Sequence, residues 1–180
     1  MNVQIADLEF EPLLSYDALQ TRIKQIAKQL NKDYENQTPM FVGVLNGCFL
    51  FMADLFKEIK VPCEVAFTKL SSYHGGISTT RRIRDDLDLT VNVEGRHIIL
   101  IEDIVDTGNT LDYLVAKLKM RKPASIIVCA MLVKPDALEY ELKELKHIGF
   151  EIENEFVVGY GLDYMEQGRN LKGVYKRVVG

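Results

Sequence analysis

Three stretches of this sequence are apolar almost without interruption: Met40 to Leu45, His97 to Ile101, and Ile126 to Val133. A strand with one face in water alternates polar and apolar residues. A strand that is apolar on both faces must be covered on both. The segments between these runs carry helical spacing, so the pattern predicts an α/β fold: a mostly parallel sheet flanked by helices. In such sheets ligands bind beyond the carboxyl ends of the strands. That rule directs attention to Asn46-Gly47, to Glu102 through Thr110, and to Lys134.

The remaining elements follow from period and punctuation. Leu19, Ile23, Ile26, Ala27 and Leu30 recur at helical spacing and predict a helix over Ser15 to Leu30, with Ser15 able to cap its first turn. Helices are also expected over Phe49 to Ile59, Thr110 to Met120 and, briefly, Ala137 to Lys146. Strands are expected over Val61 to Leu70, Leu87 to Val93 and Phe156 to Val158, with a turn at Glu94-Gly95. Ser71 to Asp86 is polar, contains Gly75-Gly76 and shows no periodicity. A loop of that length in a compact domain is often a functional lid. With no repeat, low-complexity tract or linker, residues 1–180 are expected to form a single domain.

A chain of 180 residues can bury a core without disulfides or a structural metal. Its net charge of −4 argues against a nucleic-acid binder, which needs a basic face. Phosphate ligands remain open, because backbone amides and Mg²⁺ can hold them. Cys48, Cys63 and Cys129 are odd in number, lack CxxC spacing and sit in apolar contexts, so they read as reduced core thiols. The opening MNVQIADLEF has neither a basic n-region nor an apolar h-region, and no apolar run reaches membrane-spanning length. The expected location is the cytoplasm, with no membrane partner. His74, His97 and His147 show no ligand spacing and receive no role.

The strongest local signal is IILIEDIVDTGNTL, Ile98 to Leu111. An apolar strand delivers Glu102 and Asp103 at its carboxyl end, and Asp106-Thr107-Gly108-Asn109-Thr110 runs directly into a helix. Free amides and two hydroxyls at a helix N-terminus form a phosphate cradle, and Gly108 permits close backbone approach. The loop is neither GxxxxGK[ST] nor GxGxxG. Three carboxylates beside a phosphate cradle would repel the ligand alone. They make sense facing ribose hydroxyls, a hydrated Mg²⁺ or positive charge developing on a sugar. A phosphorylated ribose carrying pyrophosphate meets all three needs.

The segment resembles the phosphoribosyl pyrophosphate (PRPP) motif of type I phosphoribosyltransferases. From about Phe10 to Leu171 the chain is similar to the hypoxanthine-guanine phosphoribosyltransferase family. That resemblance implies the type I phosphoribosyltransferase core with a small hood built from the chain termini. It implies that Glu102 and Asp103 hold the ribose hydroxyls and magnesium, and that Thr107, Gly108, Asn109 and Thr110 cradle the 5-phosphate. Asp106 would be the general base that takes the purine N7 proton as N9 attacks the anomeric carbon.

The resemblance extends to other segments. Leu45-Asn46-Gly47-Cys48 is similar to the family's pyrophosphate loop, with backbone amides binding the diphosphate. Many members carry Lys or Arg where this chain has Asn46. Ser72-Tyr73 marks the lid, whose closure would exclude water, and Arg81, Arg82 and Arg84 lie within it. Lys134 would donate to purine O6, which selects 6-oxopurines over adenine. In Phe156 to Tyr164, Phe156 would stack on the base, the Val157 backbone would contact its edge, and Asp163 would coordinate a second Mg²⁺. Arg169 would bind pyrophosphate.

The implied activity is purine salvage: Mg²⁺-dependent transfer of phosphoribosyl from PRPP to hypoxanthine, and also guanine, giving IMP or GMP and pyrophosphate. A homodimer or homotetramer is implied as well. Two other readings compete. A regulatory relative that senses PRPP would need a nucleic-acid-binding element, and this chain is acidic with no spare domain. An enzyme for adenine, orotate or uracil is disfavoured by Lys134 and by Phe156 to Asp163.

Overall fold

A computed structural model describes residues 1–73 and 82–179. The described elements are β1 (Val3–Ile5), β2 (Leu8–Leu14), α1 (Tyr16–Asp33), β3 (Met40–Leu45), α2 (Phe49–Glu58), β4 (Glu64–Tyr73) and β5 (Arg82–Leu87). Then follow β6 (His97–Val105), α3 (Asn109–Lys119), β7 (Ser125–Val133), a 3-10 turn (Pro135–Ala137), β8 (Leu145–Glu151), β9 (Val157–Val158) and β10 (Val174–Arg177).

Six strands form the main sheet in the order β5-β4-β3-β6-β7-β8. Every pairing in it is parallel except β4 with β5. The three apolar runs are neighbours at its centre, and alternation along each divides the core in two. Phe41, Ile99, Ile101, Cys129 and Met131 face α1 and α2. Met40, Val42, Val44, Ile98, Leu100, Val128 and Ala130 pack with Leu111, Leu114, Val115 and Leu118 of α3. Both faces are therefore dry, which is why these strands show no polar alternation.

The five apolar residues predicted for the first helix are all buried, and the Ser15 hydroxyl caps it by accepting from the Ala18 amide at 3.2 Å. Full burial of each large side chain in that stripe contributes roughly 1.5–3 kcal/mol, so the stripe holds α1 on the sheet more firmly than helix propensity would.

A second, antiparallel sheet of four strands, β1-β2-β10-β9, draws on both ends of the chain and closes over Ile5, Phe10 and Val158. The chain that follows its strand β9 reaches the loop after β3, where Gly161 packs on the Gly47 carbonyl.

Several expectations need correction. The expected strand over Leu87 to Val93 is not one: only Leu87 belongs to β5, and 88–93 run as irregular chain. Leu89 and Val93 plug the core on the α3 side, while the Arg121 guanidinium donates to the carbonyls of Leu89 and Val91. Alternating apolar side chains thus reflect two plugs, with a side chain in place of a ladder. The expected helix over Ala137 to Lys146 is replaced by the short 3-10 turn and by the start of β8, which supplies the free edge of β7 with a parallel partner. His147 accordingly lies in a strand. The strand expected at Val61 begins at Glu64 and runs on to Tyr73.

The ends of the expected lid also belong to the sheet. β4 and β5 pair from Leu70↔Asp85 to Tyr73↔Arg82. Ser72 and Tyr73 therefore sit on a strand end. His74, Gly75-Gly76 and Arg81 lie outside the described residues. Phe156 lies immediately before β9. Cys48, Cys63 and Cys129 are free thiols; Cys48 and Cys129 lie in the core as expected, whereas Cys63 is only half-buried. Among the described residues no helix is long and apolar enough to cross a membrane.

Candidate active site

The carboxyl end of β6 brings two acids into the interior. Glu102 is buried, and its Oε2 is the one buried side-chain polar atom without a hydrogen-bond partner among the described residues. Burial, reinforced by the neighbouring Asp103 charge, pushes the Glu102 carboxyl well above its ordinary range. Asp103 is raised to about 6 by burial, against the lowering effect of backbone amides and Arg169, while Asp163 pushes it higher. These groups sense one another's charge although they come from distant parts of the chain.

Beyond them the chain turns through Gly108, which adopts a left-handed φ of 83° and caps α3 without a side-chain hydrogen bond. A cavity of about 100 Å³ opens there, lined by Glu102 and by Ile104 through Leu111. Its loop is braced from within. The Asn109 side-chain Nδ2 donates to Thr107 Oγ1 at 2.9 Å and to Glu139 Oε2 at 3.0 Å, and the Glu139 backbone N–H donates to Thr107 O at 3.0 Å. A small polar cavity over a helix N-terminus suits a phosphate group.

The loop after β3 is wedged between two of these elements. A Cβ on Gly47 would lie 1.4 Å from Asp103 Oδ2, and a Cβ on Gly161 would lie 2.0 Å from the Gly47 carbonyl. Gly161 also has a φ of 103°, open only to glycine without strain. The Leu45–Asn46 peptide is cis. The Asn46 side chain is exposed and makes no hydrogen bond to any described residue, while Cys48 after it is buried in the core.

Lys134, just past β7, is 7% exposed, and its Nζ donates to Asp106 Oδ2 at 3.1 Å. Sequence reasoning assigned these residues separately and missed their contact. The signal lies in the register: Val105 pairs with Val133, so Asp106 and Lys134 are each the next residue on adjacent parallel strands. Arg169 donates to the Gly161 carbonyl at 2.9 Å and bridges Asp163 and Glu166, each at 2.8 Å. Glu166 and Glu139 were not anticipated. Val157 is buried, whereas Phe156 is 44% exposed, its ring against Phe10 at 6.1 Å and Tyr164 at 5.7 Å. These ring contacts do not include the polar site residues.

Glu102, Asp103, Asp106, Lys134 and the α3 cradle thus form one contiguous group. Asn46-Gly47, Gly161, Asp163 and Arg169 form a second, joined to the first where Gly47 meets Asp103. No described cluster of three or more His, Cys, Asp or Glu is arranged to hold a metal unaided. The orphaned Glu102 oxygen and the Asp103–Asp163 proximity do suit a hydrated divalent cation that takes its remaining ligands from substrate oxygens.

Known proteins resemble this chain in sequence and in fold. A model of the phosphoribosyl transferase domain matches residues 13–165. Hypoxanthine phosphoribosyltransferase of Haemophilus influenzae is 39% identical over 170 residues, spanning 93% of this chain and 94% of that protein. The chain belongs to the hypoxanthine-guanine phosphoribosyltransferase family. A second family relative, the hypoxanthine-guanine phosphoribosyltransferase of Streptococcus pneumoniae, is 43% identical over 93% of each chain. The chain is likewise 43% identical to the bifunctional protein TilS/HprT of Listeria monocytogenes, but spans only 24% of its length. Among solved structures, a family enzyme from Bacillus anthracis superposes with a TM-score of 0.86 at 36% identity, covering 94% of this chain and 97% of that one.

Proposed function

We propose that the protein is a purine-salvage enzyme that transfers 5-phosphoribosyl from PRPP to N9 of hypoxanthine, and of guanine, releasing pyrophosphate and IMP or GMP. Family membership supports the reaction class. The Lys134–Asp106 contact carries the choice of base. A 6-oxopurine presents O6, an acceptor, beside N7–H, a donor, on one edge. A buried ammonium and a carboxylate 3.1 Å apart offer the complementary donor and acceptor. Adenine would set an amino group against the ammonium, a mismatch able to discriminate by about 10⁴.

In this reading PRPP lies across both halves of the site. Its 5-phosphate enters the cradle of Thr107, Gly108, Asn109 and Thr110. Glu102 and Asp103 face the ribose hydroxyls. The backbone of Asn46 and Gly47, with Arg169, receives the diphosphate. Phe156 stacks on the base and the Val157 backbone meets its edge, so the terminal sheet acts as the hood. Ser72 and Tyr73 belong to the lid. As N9 bonds to the anomeric carbon, the bond to pyrophosphate breaks and the N7 proton passes to Asp106. The buried carboxylates favour the positive charge that develops on the sugar.

Mg²⁺ would be held by Glu102, Asp103 and Asp163 with substrate oxygens, and would neutralise the departing diphosphate. Residues 1–180 act as one domain. The free thiols favour a reducing cytoplasm. Val65 and Phe67, exposed on β4, favour self-association as a homodimer or homotetramer.

The test is a base panel. Protein, Mg²⁺ and PRPP are mixed with hypoxanthine, guanine, xanthine, adenine or uracil, with and without EDTA. Nucleotide from a 6-oxopurine, none from adenine, and loss of product with EDTA is the expected result. PRPP binding without product from any base would favour a sensor instead.

A further inference from the structure

Helix α2 begins at Phe49, directly after the Asn46-Gly47-Cys48 loop. About one and a half turns along it, Asp54 projects a mostly buried carboxylate. Three side chains converge on it. The Tyr160 hydroxyl donates to Oδ2 at 2.8 Å, Gln20 of α1 donates to the same oxygen at 2.6 Å, and Lys57 donates to Oδ1 at 2.9 Å. Burial alone would raise the Asp54 carboxyl, but the hydrogen bonds from Lys57, Tyr160 and Gln20 outweigh it and hold it below its ordinary range.

Tyr160 is itself buried, at a left-handed φ of 49°. It heads the segment that carries the second half of the site. Its amide donates to Leu171 O at 2.9 Å. The next residue, Gly161, packs on the Gly47 carbonyl with no room for a methyl group, and its own carbonyl accepts from Arg169, which holds Asp163. A phenylalanine at position 160 would fill the same space without desolvating a carboxylate. Burying a hydroxyl with an anion is costly unless both are satisfied, and hydrophobic packing alone requires neither. Such a pair is suited to fixing position.

We propose that the Asp54–Tyr160 hydrogen bond is a positioning device for the pyrophosphate half of the site. It fastens the segment from Gly159 to Arg169 to the helix that starts at the pyrophosphate loop. It thereby sets Gly161 on Gly47 and tunes affinity for PRPP and pyrophosphate, but not for the base. Neither residue touches substrate. The inference rests on the proposed roles of Asn46-Gly47, Asp163 and Arg169.

The test compares wild type with Tyr160→Phe, Asp54→Ala and Asp54→Asn. The readouts are KM for PRPP, KM for pyrophosphate in the reverse reaction, KM for hypoxanthine, kcat, thermal midpoint, and calorimetric binding of Mg²⁺-PRPP. Losing a hydrogen bond to a charged acceptor is expected to raise both phosphate KM values and the PRPP Kd roughly tenfold, with KM for hypoxanthine changed less than about twofold. Asp54→Asn keeps an acceptor and should restore most of the loss. Equal changes in every KM, or a lowered thermal midpoint with unchanged PRPP affinity, would overturn the proposal. If Tyr160→Phe does not fold, Asp54→Ala against Asp54→Asn makes the same comparison, and identical behaviour of the two would also overturn it. Wild-type protein that binds PRPP but transfers it to no base would count against the proposed reaction, while the calorimetric arm still decides the role of the pair.

Discussion

Lys134 Nζ donates to Asp106 Oδ2 at 3.1 Å, joining a side chain that is 9% exposed to one that is 53% exposed. The lysine is buried just past the end of one strand and meets an acid that stands at the solvent edge just past the end of the next. In the proposed reaction an entering base would meet this carboxylate and ammonium together, and each would exchange its partner for a purine atom.

Replacing Asp106 by Asn keeps an oxygen for Lys134 but removes the proton acceptor. Turnover is expected to fall by at least about 10², with PRPP affinity retained. Single-turnover rates and PRPP titration check this, and near-normal turnover would remove the general-base role.

Lys134→Ala is expected to raise KM for hypoxanthine more than KM for PRPP. The split in the two constants is the observable. An equal loss of both would mean that Lys134 supports the site without reading the base.

Gly161→Ala must place a Cβ 2.0 Å from the Gly47 carbonyl at a φ of 103°. The backbone strain alone costs on the order of 1–3 kcal/mol. The expected outcome is a lower thermal midpoint together with a large rise in KM for pyrophosphate. Thermal melts and reverse-reaction kinetics report the two effects separately.

Burial holds the His147 imidazole on β8 below its ordinary pKa; it outweighs the attraction of Asp33, 3.9 Å away, and adds to the repulsion of Arg22. A depressed folded-state pKa means the unfolded chain takes up the proton first. The stability linked to neutral His147 is thus present above the unfolded pKa and lost as pH falls through the folded one. Asp103, raised to about 6, acts in the opposite sense by losing stability as pH rises. The diagnostic is therefore a difference: the acid-side fall in thermal midpoint should be shallower in His147→Gln than in wild type.

The core and the acidic loop were legible because each announces itself locally. Ile98 to Ile101 needs no partner to be recognised as a doubly buried strand, and the spacing from Glu102 to Thr110 is contained in one segment. Of the terminal sheet only the strand at Phe156 to Val158 was legible from pattern. Val3–Ile5 and Val174–Arg177 are short, and Pro12 in Leu8–Leu14 argues against a strand. Pro12 is accommodated beyond the β1 pairing and beside a register shift in β10, facts that depend on residues about 160 positions away. The Lys134–Asp106 contact was hidden for the same reason, since it follows from the register of β6 on β7. Leu145–Glu151 mixes polar and apolar residues because it is an edge strand, and that mixture read as the end of a helix.

The wedging of Gly47 between Asp103 and Gly161 has a consequence for mutational tolerance. Two adjacent positions in one loop differ sharply in the substitutions they can accept. At 47 even one methyl group collides with a carboxylate, while at 46 the side chain is exposed and makes no hydrogen bond to any described residue. A library randomised at both positions and selected for growth on hypoxanthine should return many residues at 46 and glycine alone at 47.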